Sequence, residues 1–317
     1  MKIRNLILSI PFILASFSCS SSDMIDEGVK NDTQVNNYVE QQIELSNINS
    51  QISALNENMF YANQPETRGL KKWFKKFIAI VVSDAVGGLF GNLYGGACGA
   101  ICGAVTASAA AAFIPADNIT VGKAPKSIER VKIPSPTMNS ANVALSQTIL
   151  PEKSASGGEL QKIDSIGYYH NYIMLSIQPL EEAELVSVDD IIDNVSDLSA
   201  KEYGEQKQTL VDNLQANRSL FDNIIEKKMY SSEEYPDLHE LMNEWKEMYP
   251  DQTDCLSVLE TFFEGISNME VEENDGEYLN KVLNIIENSS LSEEIRMNLR
   301  NAFIVGNASY QLWNTEE

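Results

Sequence analysis

The chain has 317 residues, with 23 Lys plus Arg against 46 Asp plus Glu, two His and 43% hydrophobic residues. That is enough apolar material for a sizeable core, and too much for a wholly disordered chain. A formal charge of −23 excludes a general binder of phosphate backbones, whose affinity rests on clustered Lys and Arg, and two imidazoles leave few metal or acyl-transfer constellations to consider.

Lys2 and Arg4 precede an apolar run from Leu6 to Phe17, interrupted by Ser9, Pro11 and Ser16. A basic start followed by a short apolar stretch is the pattern of a secretory leader, too short to span a bilayer comfortably. Ser18 then stands before Cys19, and Ser20, Ser21 and Ser22 follow. This arrangement resembles the signal of bacterial lipoproteins. The resemblance implies that residues 1–18 are removed, that the sulfur of Cys19 is diacylated and that its new amino group takes a further, palmitate-like chain. Ser16 and Phe17 depart from it, since Leu and a small residue are commonest at those places. At about 0.8 kcal/mol per buried CH₂, several acyl chains hold a protein on a bilayer essentially permanently. The expected location is the envelope of a Gram-negative bacterium, with the outer membrane favoured over the inner. Residues 19–33 read as a tether.

Over 34–66 the apolar residues Leu45, Ile48, Ile52, Leu55 and Met59 fall at intervals of three and four. That is the seam of an amphipathic helix or of a short coiled coil, with a capacity for self-association. The segment 67–115 is more distinctive. Leu70, Trp73, Phe74, Phe77, Ile78 and Val81 recur at helical spacing, while Lys71, Lys72, Lys75 and Lys76 take the other face. Aromatic rings settle at the lipid headgroup level and lysines reach anionic lipid, so Lys71, Lys72, Trp73, Phe74, Lys75, Lys76 and Phe77 are the candidate membrane contacts.

From Phe77 to Ile114, Asp84 is the only carboxylate and Asn92 the only amide. Gly87, Gly91, Gly95, Gly99 and Gly103 recur every four residues, and Gly88, Gly96, Ala100, Ala104 and Ser108 form a second row. Residues four apart share one helix face, so these rows make ridges without side chains, along which two backbones can approach closely. Here the chain resembles glycine-zipper proteins, which include small outer-membrane lipoproteins and pore-forming or bacteriocin-like peptides. The resemblance covers residues 79–112 and implies close helix packing in or on a membrane. A single helix of this length would extend about 57 Å, nearly twice a hydrocarbon core. A hairpin turning near Asn92-Leu93-Tyr94-Gly95-Gly96 fits better. Whether it lies in lipid or is buried in protein stays open at this level.

Residues 116–158 contain Pro125, Pro134, Pro136 and Pro151 and close with Gly157 and Gly158, the composition of a linker. From 159 to 317 the pattern is helical almost throughout, with six or seven short helices and a strongly acidic surface; from Val131 onward there are 12 basic and 35 acidic residues. Ser187 is the expected cap of one helix, and Ser292 followed by Glu293 and Glu294 opens the last. The fold class expected is therefore mainly α: a Gly-rich helical hairpin plus an acidic multi-helix bundle.

Sites for chemistry are scarce. His239-Glu240 starts like a zinc-protease motif, but Asn243 stands where the second histidine is needed. A calcium loop around Gly276 would put Val271 and Val282 at ligand positions. His170, among Tyr168, Tyr169 and Tyr172, reads as a helix histidine satisfied by a local acceptor. Cys98 and Cys102 lie on one helix face, where a disulfide would need distortion; with Cys255 they make three thiols, an odd number.

No catalytic residue, cofactor, metal or nucleic-acid partner is expected. The partner expected is the bilayer, through acylated Cys19 and residues 70–114. The function read from the sequence is a non-enzymatic, membrane-anchored envelope lipoprotein with a scaffold or interaction role. The alternative is a bacteriocin-like or pore-forming protein processed at Arg68, with residues 69–114 as the membrane-active part.

Overall fold

The computed structural model describes residues 27–61, 72–113, 166–177, 187–203, 206–230, 238–268 and 275–313. The fold is mainly α, with no strand among the described residues. Two compact units are present, Met1–Glu40 and Gln41–Glu317. The described part of the first is helical, and the side chains of residues 37–40 are exposed.

Helix α1 spans Glu27–Asn56 and ends in a π-helical turn, Glu57–Tyr61. Within the second unit its seam is inward: Leu45, Ile48 and Ile52 are buried, and Leu55 and Met59 pack at the edge of the core. Helix α2, Lys72–Phe113, is a hairpin, broken by the non-helical backbone of Gly95 (φ −144°) and Gly96 (φ +56°). A left-handed φ is inexpensive only without a Cβ, which is why glycine holds the turn.

Among its described residues the acidic region holds eight further helices: α3 (Ile166–Ile177), α4 (Val188–Tyr203), α5 (Lys207–Ala216), α6 (Arg218–Tyr230), α7 (Leu238–Met248), α8 (Thr253–Asn268), α9 (Asp275–Glu287) and α10 (Glu293–Trp313). A short 3₁₀ turn, Pro250–Gln252, joins α7 to α8. Their ends follow local chemistry. The Ser187 hydroxyl accepts from the Asp190 N–H at 3.2 Å, and the Asp190 carboxylate accepts from the Ser187 N–H at 2.9 Å. Each partner satisfies a donor that the helix itself cannot. At α10 the Ile295 N–H reaches the Ser292 hydroxyl at 3.3 Å, ahead of Glu293 and Glu294 in the first turn.

Two boundaries differ from the sequence reading; the first is the start of α1, which lies at Glu27, inside the segment 19–33 expected to be a tether. At the second, the periodicity predicts a single helix from Lys207 to Met229, whereas two are present, parted at Asn217. The Asn217 amide donates to the Asn213 carbonyl, and its backbone N–H turns to Leu214 at 3.0 Å. An asparagine side chain that competes for the backbone in this way interrupts a helix without disturbing the apolar stripe around it. Leu210 and Leu214 before the break, and Leu220, Phe221, Ile224 and Ile225 after it, all reach the core.

The hairpin and the distal helices share one core, although a Pro-rich stretch separates them in sequence. Helix α2 packs most extensively against α10 and is also flanked by α3, α4, α5 and α6. Residues 80–92 and 99–111 of the hairpin are buried, and α10 is buried on every side from Asn301 to Trp313. Amphipathic helices bury their apolar stripes on this centre and turn their charges outward. No helix among the described residues is long and apolar enough to cross a membrane.

Candidate functional site

The hairpin is where sequence and structure meet most informatively. Its arms are antiparallel, with Gly87 opposite Gly103 and Gly91 opposite Gly99. A Cβ placed on Gly87 would lie 2.5 Å from the Gly103 carbonyl oxygen and 2.7 Å from Ala107 Cβ. At Gly91, Gly99 and Gly103 a Cβ would be closer still to the facing backbone oxygen. Four of the five in-register glycines therefore form the contact between the arms. Gly95 does not; it forms the turn, beside the Asn213 side chain. Gly88, in the second row, faces α10, where Ala302 and Val305 lie at ordinary van der Waals distance from the position a Cβ would take.

The arms carry three polar features that face the distal helices. Asp84, fully buried, meets His170 of α3, also fully buried, with Oδ2 and Nε2 3.3 Å apart. The hydroxyls of Ser309 and Ser108 turn toward the same carboxylate, yet no side chain closes a hydrogen bond of good geometry onto it. Burial pushes the Asp84 carboxyl above its ordinary range, against the opposing pull of His170, Ser309 and Ser108. The other imidazole nitrogen, Nδ1, is 2.9 Å from Asn171 Oδ1, and the Asn171 amide donates to the Ala308 carbonyl at 3.1 Å. An Asp–His pair with serines nearby has the residue types of a hydrolytic triad but not its geometry. The serine hydroxyls address the carboxylate, both ring nitrogens face other groups, and the site is sealed from solvent. What the pair can do is hold a proton inside the core.

Nearer the turn, the Asn301 amide donates to Asn92 Oδ1 at 2.6 Å, and the Asn92 amide donates to Asn298 Oδ1. These three buried asparagines fasten the first arm to α10. Replacing Asn92 by Ala is expected to cost about 1–3 kcal/mol, because the buried Asn298 carbonyl oxygen and Asn301 amide lose their partner. Urea denaturation followed by circular dichroism measures it, and a loss below the scatter of the midpoint would show that the network contributes nothing net. A related contact ties α1 to the body: Tyr278 donates to Asn56 Oδ1 at 2.8 Å, and Asn56 donates to the Thr261 carbonyl at 2.8 Å.

The third feature is a thiol pair. Cys98, half-buried, and Cys102, buried, have their sulfurs 4.0 Å apart in the first turns after the Gly95–Gly96 break. Cys255 is a separate buried thiol on α8, and burial there pushes its pKa up to about 12.

His239 has ordinary surface chemistry. Its Nδ1 is 2.5 Å from Glu260, whose carboxylate also pairs with Lys246. No group of three or more His, Cys, Asp or Glu among the described residues could hold a metal ion.

Cys19, Arg68 and Lys71 lie outside the described residues, and so do the side chains of Lys72, Trp73, Phe74, Lys75, Lys76 and Phe77, whose backbone is helical. The Asp84–His170 pair and the asparagine cluster were missed from sequence. The only available signal was negative: Asp84 and Asn92 are the sole carboxylate and amide in an otherwise apolar stretch, and such residues need buried partners. No family model, curated protein or solved structure matches the chain.

Proposed function

We propose that this chain is a non-enzymatic lipoprotein of the bacterial envelope, anchored through acylated Cys19, whose helical body serves as an interaction scaffold. The observation that favours a scaffold is the enclosure of the hairpin. Its glycine rows are occupied by packing of one arm on the other and of both on α10, so the surface left to meet a partner is the acidic exterior of the surrounding helices. An anchor of several acyl chains holds that body at a bilayer without help from the hairpin.

A pore-forming reading has one observation in its favour: the hairpin carries a single carboxylate from Phe77 to Ile114, so it could enter lipid if it left its shell. That would require separating it from α10 and from α3 to α6 at once.

The anchor is tested by metabolic labelling with a clickable fatty acid. Wild-type protein is expected to take up label and to sediment with membranes, and Cys19→Ala to do neither. Label-free mature protein with Cys19 intact would remove the anchor. Dye release from anionic vesicles by the full-length mature chain would transfer the reading to the pore-forming alternative; binding without release supports the scaffold.

A further inference from the structure

Cys98 and Cys102 are four residues apart on the second arm, with their sulfurs in thiol–thiol hydrogen-bond contact at 4.0 Å, a spacing that also suits a shared ion and is too long for a disulfide. Two sulfurs bound to one metal at about 2.3 Å each stand about 3.8 Å apart at a tetrahedral angle and about 4.6 Å apart when collinear. The observed 4.0 Å lies in that interval. A disulfide would need the sulfurs at about 2.05 Å and the Cβ atoms near 3.8 Å, a change that the helix and the tight Gly91–Gly99 contact beside it oppose.

We infer that Cys98 and Cys102 form a two-thiolate binding site for a soft monovalent d¹⁰ cation of the Cu(I) class. Softness follows from the donors, since thiolate selects Cu(I) over the hard ions that take oxygen. Low coordination follows from the surroundings. Zinc in a structural site takes four ligands, and no third or fourth His, Cys, Asp or Glu joins the pair among the described residues. The hydroxyl of Ser199 on α4, itself buried, faces Cys102 and offers polarity without a soft donor.

Binding converts two thiols into two thiolates, releases two protons to water and leaves a complex of net charge −1. That charge sits in the first turns of the second arm, where the backbone N–H groups freed by the Gly95–Gly96 break and the positive end of the helix dipole favour an anion. Cys98 is half-buried, which leaves an entry from solvent.

The test uses the full chain carrying Cys19→Ala, reduced and kept anaerobic, and titrated with Cu(I) against a chromogenic competing chelator. About one equivalent is expected to be captured, with the same result in Cys255→Ser. X-ray absorption is expected to show two sulfur neighbours and no nitrogen. Capture should vanish in Cys98→Ser and in Cys102→Ser; if the buried Cys102→Ser variant fails to fold, the half-buried Cys98→Ser carries the comparison, with helical circular dichroism as its control. Capture retained in a folded Cys98→Ser chain, no capture by folded protein with both thiols reduced, or isolation of a stable Cys98–Cys102 disulfide would each overturn the inference.

Discussion

Gly91→Ala is expected to destabilise the protein severely, by roughly 3 kcal/mol or more, at the upper end of overpacking costs. The added methyl would fall on the Gly99 carbonyl, and the reciprocal change, Gly99→Ala, would fall on the Gly91 carbonyl. Neither oxygen is the tip of a flexible side chain, so relief requires one arm to move as a body, and both arms are held by the helices around them. Gly88→Ala, three residues away on the same helix, provides the contrast. Its Cβ would stand 3.7 Å from the Ala100 carbonyl and from Val305 Cβ, ordinary contact distances, while the substitution removes the entropic penalty of a mid-helix glycine, worth about 0.5–1 kcal/mol. Gly88→Ala is therefore expected to leave stability unchanged or to raise it. Gly96→Ala falls between the two: nothing lies within 4 Å of its Cβ position, but φ of +56° with ψ of −146° is a combination essentially reserved for glycine and strains any other residue by about 1–3 kcal/mol. Urea midpoints for the three variants give the ordering directly, and a Gly91→Ala protein as stable as Gly88→Ala would show that the arms are not in backbone contact.

The second large effect concerns the buried pair. His170→Ala is expected to cost about 3 kcal/mol, since it opens a cavity in the core and leaves the buried Asp84 carboxyl without its nearest polar partner. Asp84→Asn tests the same site through its pH dependence. The folded-state pKa of Asp84 is raised, first by burial, above an unfolded value of about 3.9. The native state therefore holds this proton where the unfolded chain has released it. The contribution of Asp84 is most favourable below the unfolded pKa, declines as pH rises toward the folded value, and stays diminished above it. Asp84→Asn carries no such proton, so its stability relative to wild type should improve as pH rises through that window. Guanidinium unfolding of both proteins from about pH 4 to pH 8 reads the difference. A trend of the opposite sign would mean that Asp84 is ionised in the folded protein and that its attraction to His170 outweighs burial.

Much of this architecture was legible in the residues because it is local. The intervals of Leu45, Ile48 and Ile52 place them on one helix face whatever lies opposite, and Ser187 and Ser292 cap helices through atoms three residues away. Glycines repeating at four gave a close-packed hairpin, and the turn falls at Gly95 and Gly96, within the Asn92-to-Gly96 stretch singled out for its turn residues. The break at Asn217 was not legible, since the apolar stripe continues across it and only the asparagine's competition for the backbone parts the helices.

Tertiary structure alone decided what surrounds the hairpin. A glycine ridge packs by van der Waals contact between backbones, and that contact is the same in lipid as in protein, so the zipper does not disclose its own environment. The outer faces of the arms do. Gly88 lies against Ala302 and Val305, Asp84 against His170, and Asn92 against Asn298 and Asn301. The partners of Asp84 and Asn92 are 86 and more than 200 positions away in the chain. No periodicity encodes such pairings. They exist because the hairpin needs cover for its apolar faces, and the helices that cover it bring His170, Asn298 and Asn301 to the two polar groups that the hairpin could not have buried alone.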